Sequence, residues 1–304
     1  VFAFAKTLGA ATPVQRELGV DAVRAARPGA SVSIESVSYE VGALRILDDV
    51  SLSVSAGEFL CVLGPSGSGK STILNLLAGL LRPTRGRIVC GDREVTSPSP
   101  ERALVFQDAA LFPWLTVRGN VEFALRLQGL DARARAARSE ELLRLVHLWR
   151  FRESYPHELS GGMRQRGGIA RALASDPAVL LMDEPFAALD AQTREILQAE
   201  VERIWAATRK TVIFITHNVR EAVRLADRVV LMGTRPGRII HEARVDLPRP
   251  RDANDVGVTR LVADLGARIA TEVETVAKEE GDDAWLLPRG RVPRGARRDL
   301  GRSV

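Results

Sequence analysis

Apolar and polar residues alternate at Val32, Ile34 and Val37 and again at Val50, Leu52 and Val54, a period of two that predicts antiparallel strands with one buried face. Residues 58–63, the run Val179-Leu180-Leu181-Met182 and the run Thr211-Val212-Ile213-Phe214-Ile215 lack that alternation. Their near-continuous apolar content predicts strands covered on both faces, as in a parallel sheet. A period near 3.6 predicts helices over 71–81, 117–127, 132–148, 161–174, 192–207 and 255–277. Shorter strands are expected at 87–90, 229–232 and 238–245. Helices crowd the interval 107–175, between strands on either side. The order predicts an α/β fold with a mixed sheet core, an antiparallel β subdomain and an inserted α-helical subdomain. No internal repeat is visible. Residues 1–30 are Ala-rich, carry no strand pattern and end in Arg27-Pro28-Gly29, so a disordered N-terminal extension is expected before a main domain over 31–250. Residues 251–304 are expected to hold a helix and a tail.

Composition narrows this picture. A chain of 304 residues with 45% apolar content can bury one sizeable core and a satellite region. It has no run of 18 apolar residues, so no segment is expected to span a membrane by itself. The apolar start at 1–5 lacks the charged flank of a secretory signal, and the reading is a cytosolic chain. The net charge of +5 tempts one toward nucleic acid. Its location argues otherwise: six arginines (289, 291, 294, 297, 298 and 302) against Asp299 carry the whole excess, and the rest of the chain is neutral. A basic terminus with Pro and Gly is usually a solvated tail; contact with anionic lipid or RNA is the alternative. The two cysteines, Cys61 and Cys90, fall in strand-like runs and read as small buried hydrophobes.

The densest chemistry lies between the strand at 58–63 and the helix at 71–81. Gly64, Pro65, Ser66, Gly67, Ser68, Gly69, Lys70, Ser71 and Thr72 form a strand-to-helix loop of the pattern G-x-x-x-x-G-K-[ST]. Its glycines are expected to let the backbone turn with positive φ and aim N–H groups at phosphate oxygens, beside a helix end carrying about half a positive charge. Lys70 can reach the β- and γ-phosphates, and Ser71 can offer its hydroxyl to Mg²⁺. A dinucleotide fingerprint is excluded, because its third glycine would fall at Thr72.

Two further constellations fit the same substrate. The apolar strand from Val179 ends in Asp183-Glu184-Pro185, and paired carboxylates at a sheet edge are costly unless a cation or a reaction uses them. Asp183 suits Mg²⁺, directly or through water, and Glu184 suits orienting and deprotonating the attacking water. Leu159-Ser160-Gly161-Gly162-Met163-Arg164-Gln165-Arg166 opens a helix that Ser160 can cap, a second helix end able to meet an anion.

The string LSGGMRQR, after a Walker A loop and before a Walker B strand ending in DEP, resembles the ATP-binding cassette (ABC) proteins that power membrane transporters, and the resemblance covers about residues 32–250. It implies a P-loop ABC-type nucleotide-binding domain that binds ATP and Mg²⁺. It further implies that Tyr39 stacks on adenine, that Gln107 is the Q-loop glutamine at the metal and the reacting water, that Leu189-Asp190 is the D-loop, and that His217 is the switch histidine at the γ-phosphate. The family's mechanism closes two copies over two nucleotides, the phosphate loop of one meeting Ser160, Gly161 and Gly162 of the other.

The resemblance also implies partners. These are a second nucleotide-binding subunit, transmembrane permease subunits and, through the complex, an extracytoplasmic solute-binding protein, with the chain peripheral to the cytoplasmic face of the inner membrane. Residues 111–115, Leu-Phe-Pro-Trp-Leu, suit a groove for a permease helix, with simple core packing as the alternative. Together with residues 235–240 and 245–251 they resemble the subfamily serving nitrate, sulfonate and taurine importers. No nucleic acid is expected. A soluble cassette ATPase acting on nucleic acid or ribosomes is the other reading, disfavoured by a single cassette without sustained heptads. One departure from the family stands out: Gly167-Gly168 inside the signature helix, each costing about 1 kcal/mol against Ala, implies a softer helix or an unusually close neighbour.

Overall fold

The computed structural model describes residues 27–279. The expected N-terminal extension, apart from 27–30, and the basic segment 289–302 lie outside the described residues. Strands β1 (Val32–Val41) and β2 (Leu44–Val54) form an antiparallel hairpin, followed by β3 (Phe59–Leu63), helix α1 (Lys70–Ala78), β4 (Arg85–Cys90), β5 (Arg93–Glu94) and β6 (Arg102–Val105). Helices α2 (Val117–Leu127), α3 (Ala132–Leu145) and α4 (Gly161–Ala174) precede β7 (Val179–Asp183). The chain continues through α5 (Ala191–Thr208), β8 (Thr211–Thr216), α6 (Val219–Leu225), β9 (Arg228–Gly233), β10 (Arg238–Arg244) and α7 (Val256–Glu279).

Two sheets result. One has four strands in the order β2-β1-β4-β5, all antiparallel; the other has six in the order β10-β9-β3-β8-β7-β6, parallel except for the β9–β10 hairpin. The second is buried on both faces, which explains why its central strands read as unbroken apolar runs. In β3, Phe59, Cys61 and Leu63 face one core, with α2, α4 and α5, while Leu60 and Val62 face another, shared with α1 and the antiparallel sheet. The same alternation divides Val212 and Phe214 from Ile213 and Ile215 in β8. Cys61 and Cys90 are both buried and unbridged.

Several boundaries differ from the sequence reading for identifiable reasons. Helix α1 stops at Ala78, three residues early, because Gly79 takes φ 80° and its N–H closes back on Leu76 O. Helix α3 ends at Leu145, and His147, at φ 55°, turns the chain into a 3₁₀ turn at Trp149–Phe151. The short β6 and the seven-residue α6 escaped the pattern, since neither is long enough to display a period. The paired glycines of α4 have close neighbours: a Cβ at Gly168 would lie 3.1 Å from Ala109 O, and one at Gly167 would lie 3.2 Å from Leu111 Cδ1. Close packing, the second of the two expectations, is what the glycines serve. Gln165 Nε2 donates to Phe106 O at 3.1 Å and Arg171 Nη1 donates to Ala110 O at 2.7 Å, so α4 carries the whole 106–112 segment on its flank.

The segment after β10 is strapped down by arginines. Arg251, only 6% exposed, donates to the carbonyls of Val223, Ala226, Val245 and Leu247, and burial lowers its pKa to about 10. Arg249 pairs with Asp227 and lies 4.4 Å from the centre of the Trp205 ring. These contacts seat α7 on α6, with Val258 and Leu265 buried beneath it. Among the described residues no helix is long and apolar enough to cross a membrane.

Candidate functional site

A cleft of about 730 Å³ opens where β3 gives way to α1. Ser66, Gly67, Gly69, Lys70, Ser71 and Thr72 line it from below, and Glu184 lines it from the end of β7. Gly67 and Gly69 take φ of 83° and 82°, conformations that L side chains rarely adopt. Gly64 does a different job from the one expected, for it is absent from the positive-φ residues and a Cβ there would stand 2.6 Å from Met232 O. Close passage against β9, not turning, selects that glycine. No side chain caps α1, whose N-cap is Gly69, and its first turn carries no acid. The unpaired N–H groups of that turn are left for an incoming anion.

Lys70 is 6% exposed and reaches back over the loop, where Nζ donates to Gly64 O at 2.9 Å and to Pro65 O at 2.8 Å, with Ser68 Oγ at 3.4 Å. Burial lowers its pKa, against the opposing pull of Glu184 and Asp183. A buried ammonium among carbonyl dipoles has room in its energetics for a stronger anionic partner. Asp183 faces the opposite case. Burial raises its pKa and the neighbouring Glu184 charge adds to this, while the hydrogen bond from Ser71 Oγ, at 3.2 Å, and the Lys70 charge lower it. A hydroxyl and a carboxylate so placed are hard oxygen donors of the kind Mg²⁺ takes, and a desolvated carboxylate gains most from a cation.

Beside them Glu184 adopts φ 42°, a left-handed conformation costly for a non-glycine residue. Its N–H donates to Ile215 O at 3.0 Å, anchoring it to the end of β8, and its Oε2 lies 2.9 Å from Nδ1 of His217. His217 follows β8 directly, with Thr216 Oγ1 donating to the buried Glu221 carboxylate at 2.7 Å and Asn218 capping α6. The carboxylate, which lines the cleft, and the imidazole therefore meet from adjacent parallel strands.

Other expected residues lie elsewhere in this single chain. Gln107 and Gly161 line a second cavity of about 320 Å³, together with Arg164, Gln165 and Leu189. Ser160 caps α4 by accepting from Met163 N at 3.3 Å, and Gly162 is buried against Thr193 of α5. Asp190 caps α5, accepting from Thr193 N at 3.0 Å, and these hydrogen bonds hold its carboxyl below the usual range. Tyr39 sits half-buried on β1 opposite Leu47, outside the lining of the first cleft. Leu44, Arg45 and Ile46 of β2 form that wall, and the turn bearing Arg235 and Pro236 closes the adjoining side.

Sequence reasoning missed these wall residues, and it missed Asn120. This buried amide accepts from Phe112 N at 2.8 Å and donates to the carbonyls of Phe112, Leu115 and Thr116, fixing the 111–115 loop. Trp114 on that loop is 70% exposed, its ring 5.4 Å from that of Phe112 at a tilt of 30°, and the Phe112 ring lies 5.1 Å from the Arg171 guanidinium. A lone Asn three residues into a helix carries no signal in one sequence.

A glycine-rich strand-to-helix loop, its lysine, and two carboxylates at the end of a parallel strand one place further along the sheet define a P-loop nucleotide hydrolase. The family model described as ABC transporter matches residues 47–187. A taurine import ATP-binding protein of Burkholderia pseudomallei is 52% identical over 208 residues, covering 68% of this chain and 80% of that protein. An uncharacterized ABC transporter ATP-binding protein of Methanocaldococcus jannaschii is 50% identical over 213 residues, covering 70% and 80%. A dimeric ATP-binding cassette solved in a post-hydrolysis state with ADP and Pi shares 32% identity, with a TM-score of 0.63 over 71% of this chain and 100% of that one. The chain belongs to the ABC transporter family as an ATP-binding protein, and it is an ATPase of the cassette fold.

Proposed function

We propose that this ATPase drives a membrane permease importing a small solute, an anion such as nitrate, a sulfonate or taurine, and that it does so by closing two copies over ATP. The observation that carries the reading is the separation of two anion-ready helix ends: α1 opens into the first cleft and α4 into another cavity, so one chain holds half of each nucleotide site. A second copy, turned to face the first, brings its Ser160-Gly161-Gly162 end over the phosphate loop. The similar cassette solved as a dimer with ADP and Pi supports this arrangement.

Within a closed site each residue has a physical task. The N–H groups of 67–72 and Lys70 hold the triphosphate, and the carbonyl partners of Lys70 are exchanged for phosphate oxygens. Ser71 and Asp183 would hold Mg²⁺, which supplies neutralisation of β- and γ-phosphate charge when bound. Glu184 Oε2 accepts a proton from the attacking water as the Pγ–O bond to ADP breaks, and His217, 2.9 Å away, fixes the carboxylate and meets the γ-phosphate. Gln107, which lines the cavity at the start of α4, belongs to the 106–112 segment that α4 carries. Any shift of that segment therefore moves with the signature helix.

The exposed Trp114, on the 111–115 loop that Asn120 of α2 pins through Phe112 and Leu115, is the contact for a cytoplasmic helix of the permease, and the chain sits peripherally on the cytoplasmic face of the membrane. The named taurine import relative supports the solute class, as does the resemblance of residues 111–115, 235–240 and 245–251 to that subfamily. Uptake by a strain lacking this gene tests it. Loss of uptake for one of nitrate, taurine or an alkyl sulfonate, restored by the wild-type chain but not by Glu184→Gln, is the expected result; unchanged uptake of all three rejects the solute class.

A further inference from the structure

The turn between β9 and β10 borders the nucleotide cleft on the flank that the sequence motifs leave unassigned. Strand β9 pairs with β3 on one side, while β7 lies beyond β8 on the other. Asp183 and Glu184, leaving β7, thus bound the phosphate loop on one flank, and residues 234–237, leaving β9, bound it on the opposite one. The turn is clamped there. Gly237 N donates to Ile46 O at 2.8 Å, Asp48 N donates to Gly237 O at 3.0 Å, and a Cβ on Gly237 would stand 2.3 Å from Ser68 O in the phosphate loop.

Arg235 is held in this turn at φ 56°, a left-handed conformation that a non-glycine residue keeps only where its surroundings impose it. Arg235 and Pro236 line the same cleft as Lys70 and Ser71. Behind the turn stands the C-terminal helix. Glu272 Oε1 of α7 accepts from Thr234 N at 3.1 Å, and a Cβ on Gly233 would stand 2.4 Å from the same oxygen, so carboxylate and turn are in contact.

We propose that Arg235 is a nucleotide-binding residue that contacts the α-phosphate, ribose or base side of the bound nucleotide, and that Glu272 of α7 is the positioning residue holding its turn against the phosphate loop. A guanidinium suits either task at that end, since it pairs bidentately with phosphate oxygens and stacks on a purine face. The C-terminal helix, which the sequence reading left without a role, then tunes nucleotide affinity through one hydrogen bond. The assignment rests on the reading of this cleft as the ATP site.

Calorimetric titration of the full chain with Mg-ATP and, separately, with ADP tests it. Arg235→Ala weakens both nucleotides alike, by about 5- to 30-fold, and raises KM for ATP with kcat within about 2-fold of wild type. Arg235→Lys, which keeps the charge but not the planar fork, falls between the two. Glu272→Ala weakens both nucleotides in the same direction by about 2- to 5-fold, whereas Glu272→Gln, whose amide oxygen still accepts from Thr234 N, binds as wild type. Arg235→Ala binding both nucleotides at wild-type affinity overturns the assignment, as does a loss confined to ATP with ADP untouched, which would put the residue at the γ-phosphate. Equal binding by Glu272→Ala and wild type, or equal impairment in Glu272→Gln and Glu272→Ala, overturns the positioning role. A wild-type chain that binds neither nucleotide defeats the cleft reading itself.

Discussion

At the start of α1 the N-cap is a glycine with no side chain to satisfy the first turn, and a buried lysine, the Ser71 hydroxyl and the Glu184 carboxylate line the same cleft, with Asp183 accepting from that hydroxyl. At the start of α4 the N-cap is Ser160, whose hydroxyl satisfies one N–H of that turn, and the cavity beside it holds Gln107 and Arg164 but neither the phosphate loop nor Glu184. Both are helix ends flanked by glycine, and both are suited to anions. They differ in what surrounds them. The first has the phosphate loop, its lysine and the paired acids of β7 about it; the second, on the function proposed above, is a lid for the cleft of another copy.

Glu184→Gln strikes the first end hardest: turnover falls by about 10²- to 10⁴-fold while nucleotide still binds, measured as phosphate release beside equilibrium binding. Turnover close to wild type would remove Glu184 as the base. Lys70→Ala takes away the buried cation, and here both binding and turnover fall, the latter by about 10²- to 10³-fold. Tight ATP binding by that variant would show the free N–H groups of α1 sufficient alone.

The smallest effect concerns stability and runs the other way. Burial raises the pKa of Asp183, so its ionised form strains the ligand-free fold at neutral pH. That strain lifts as pH falls through the raised folded value and is gone below the unfolded one, because the folded chain binds the extra proton first. Asp183→Asn should therefore melt about 2 °C above wild type at neutral pH without nucleotide, and the advantage should shrink on acidification toward pH ~4. No Asp or Glu caps or enters the first turn of α4, and no such pH-dependent advantage is expected from changes there.

The two ends were also unequally legible. The sequence from Gly64 to Thr72 announces its cleft because phosphate binding demands glycine and lysine at fixed spacing on a strand-to-helix turn. The strand at Val179 and its two acids were equally plain, since burial on both faces leaves a continuous apolar run. What escaped was long-range. Nothing local says that Gly237 must pass Ser68, that Arg235 enters the cleft, or that Asn120 pins Phe112, because each depends on a contact between segments far apart or on a buried amide with backbone partners. Gly64 was legible as a glycine and misread in purpose, as its cause is the Met232 carbonyl on another strand. The doubled glycine at 167–168 was legible as an anomaly, and only the packed 106–112 segment explains it.

Mixing two inactive chains tests most directly whether the α4 end serves the cleft of another copy. Lys70→Ala keeps an intact Ser160 end, and Ser160→Arg keeps an intact phosphate loop; each alone should hydrolyse ATP at background rate. In a mixed dimer one site combines the good loop of the second chain with the good helix end of the first. Recovery of ATP turnover on mixing, absent from either variant alone at the same total concentration, is the predicted result. Background hydrolysis at every mixing ratio, or a Ser160→Arg chain that turns over ATP like wild type, would contradict it.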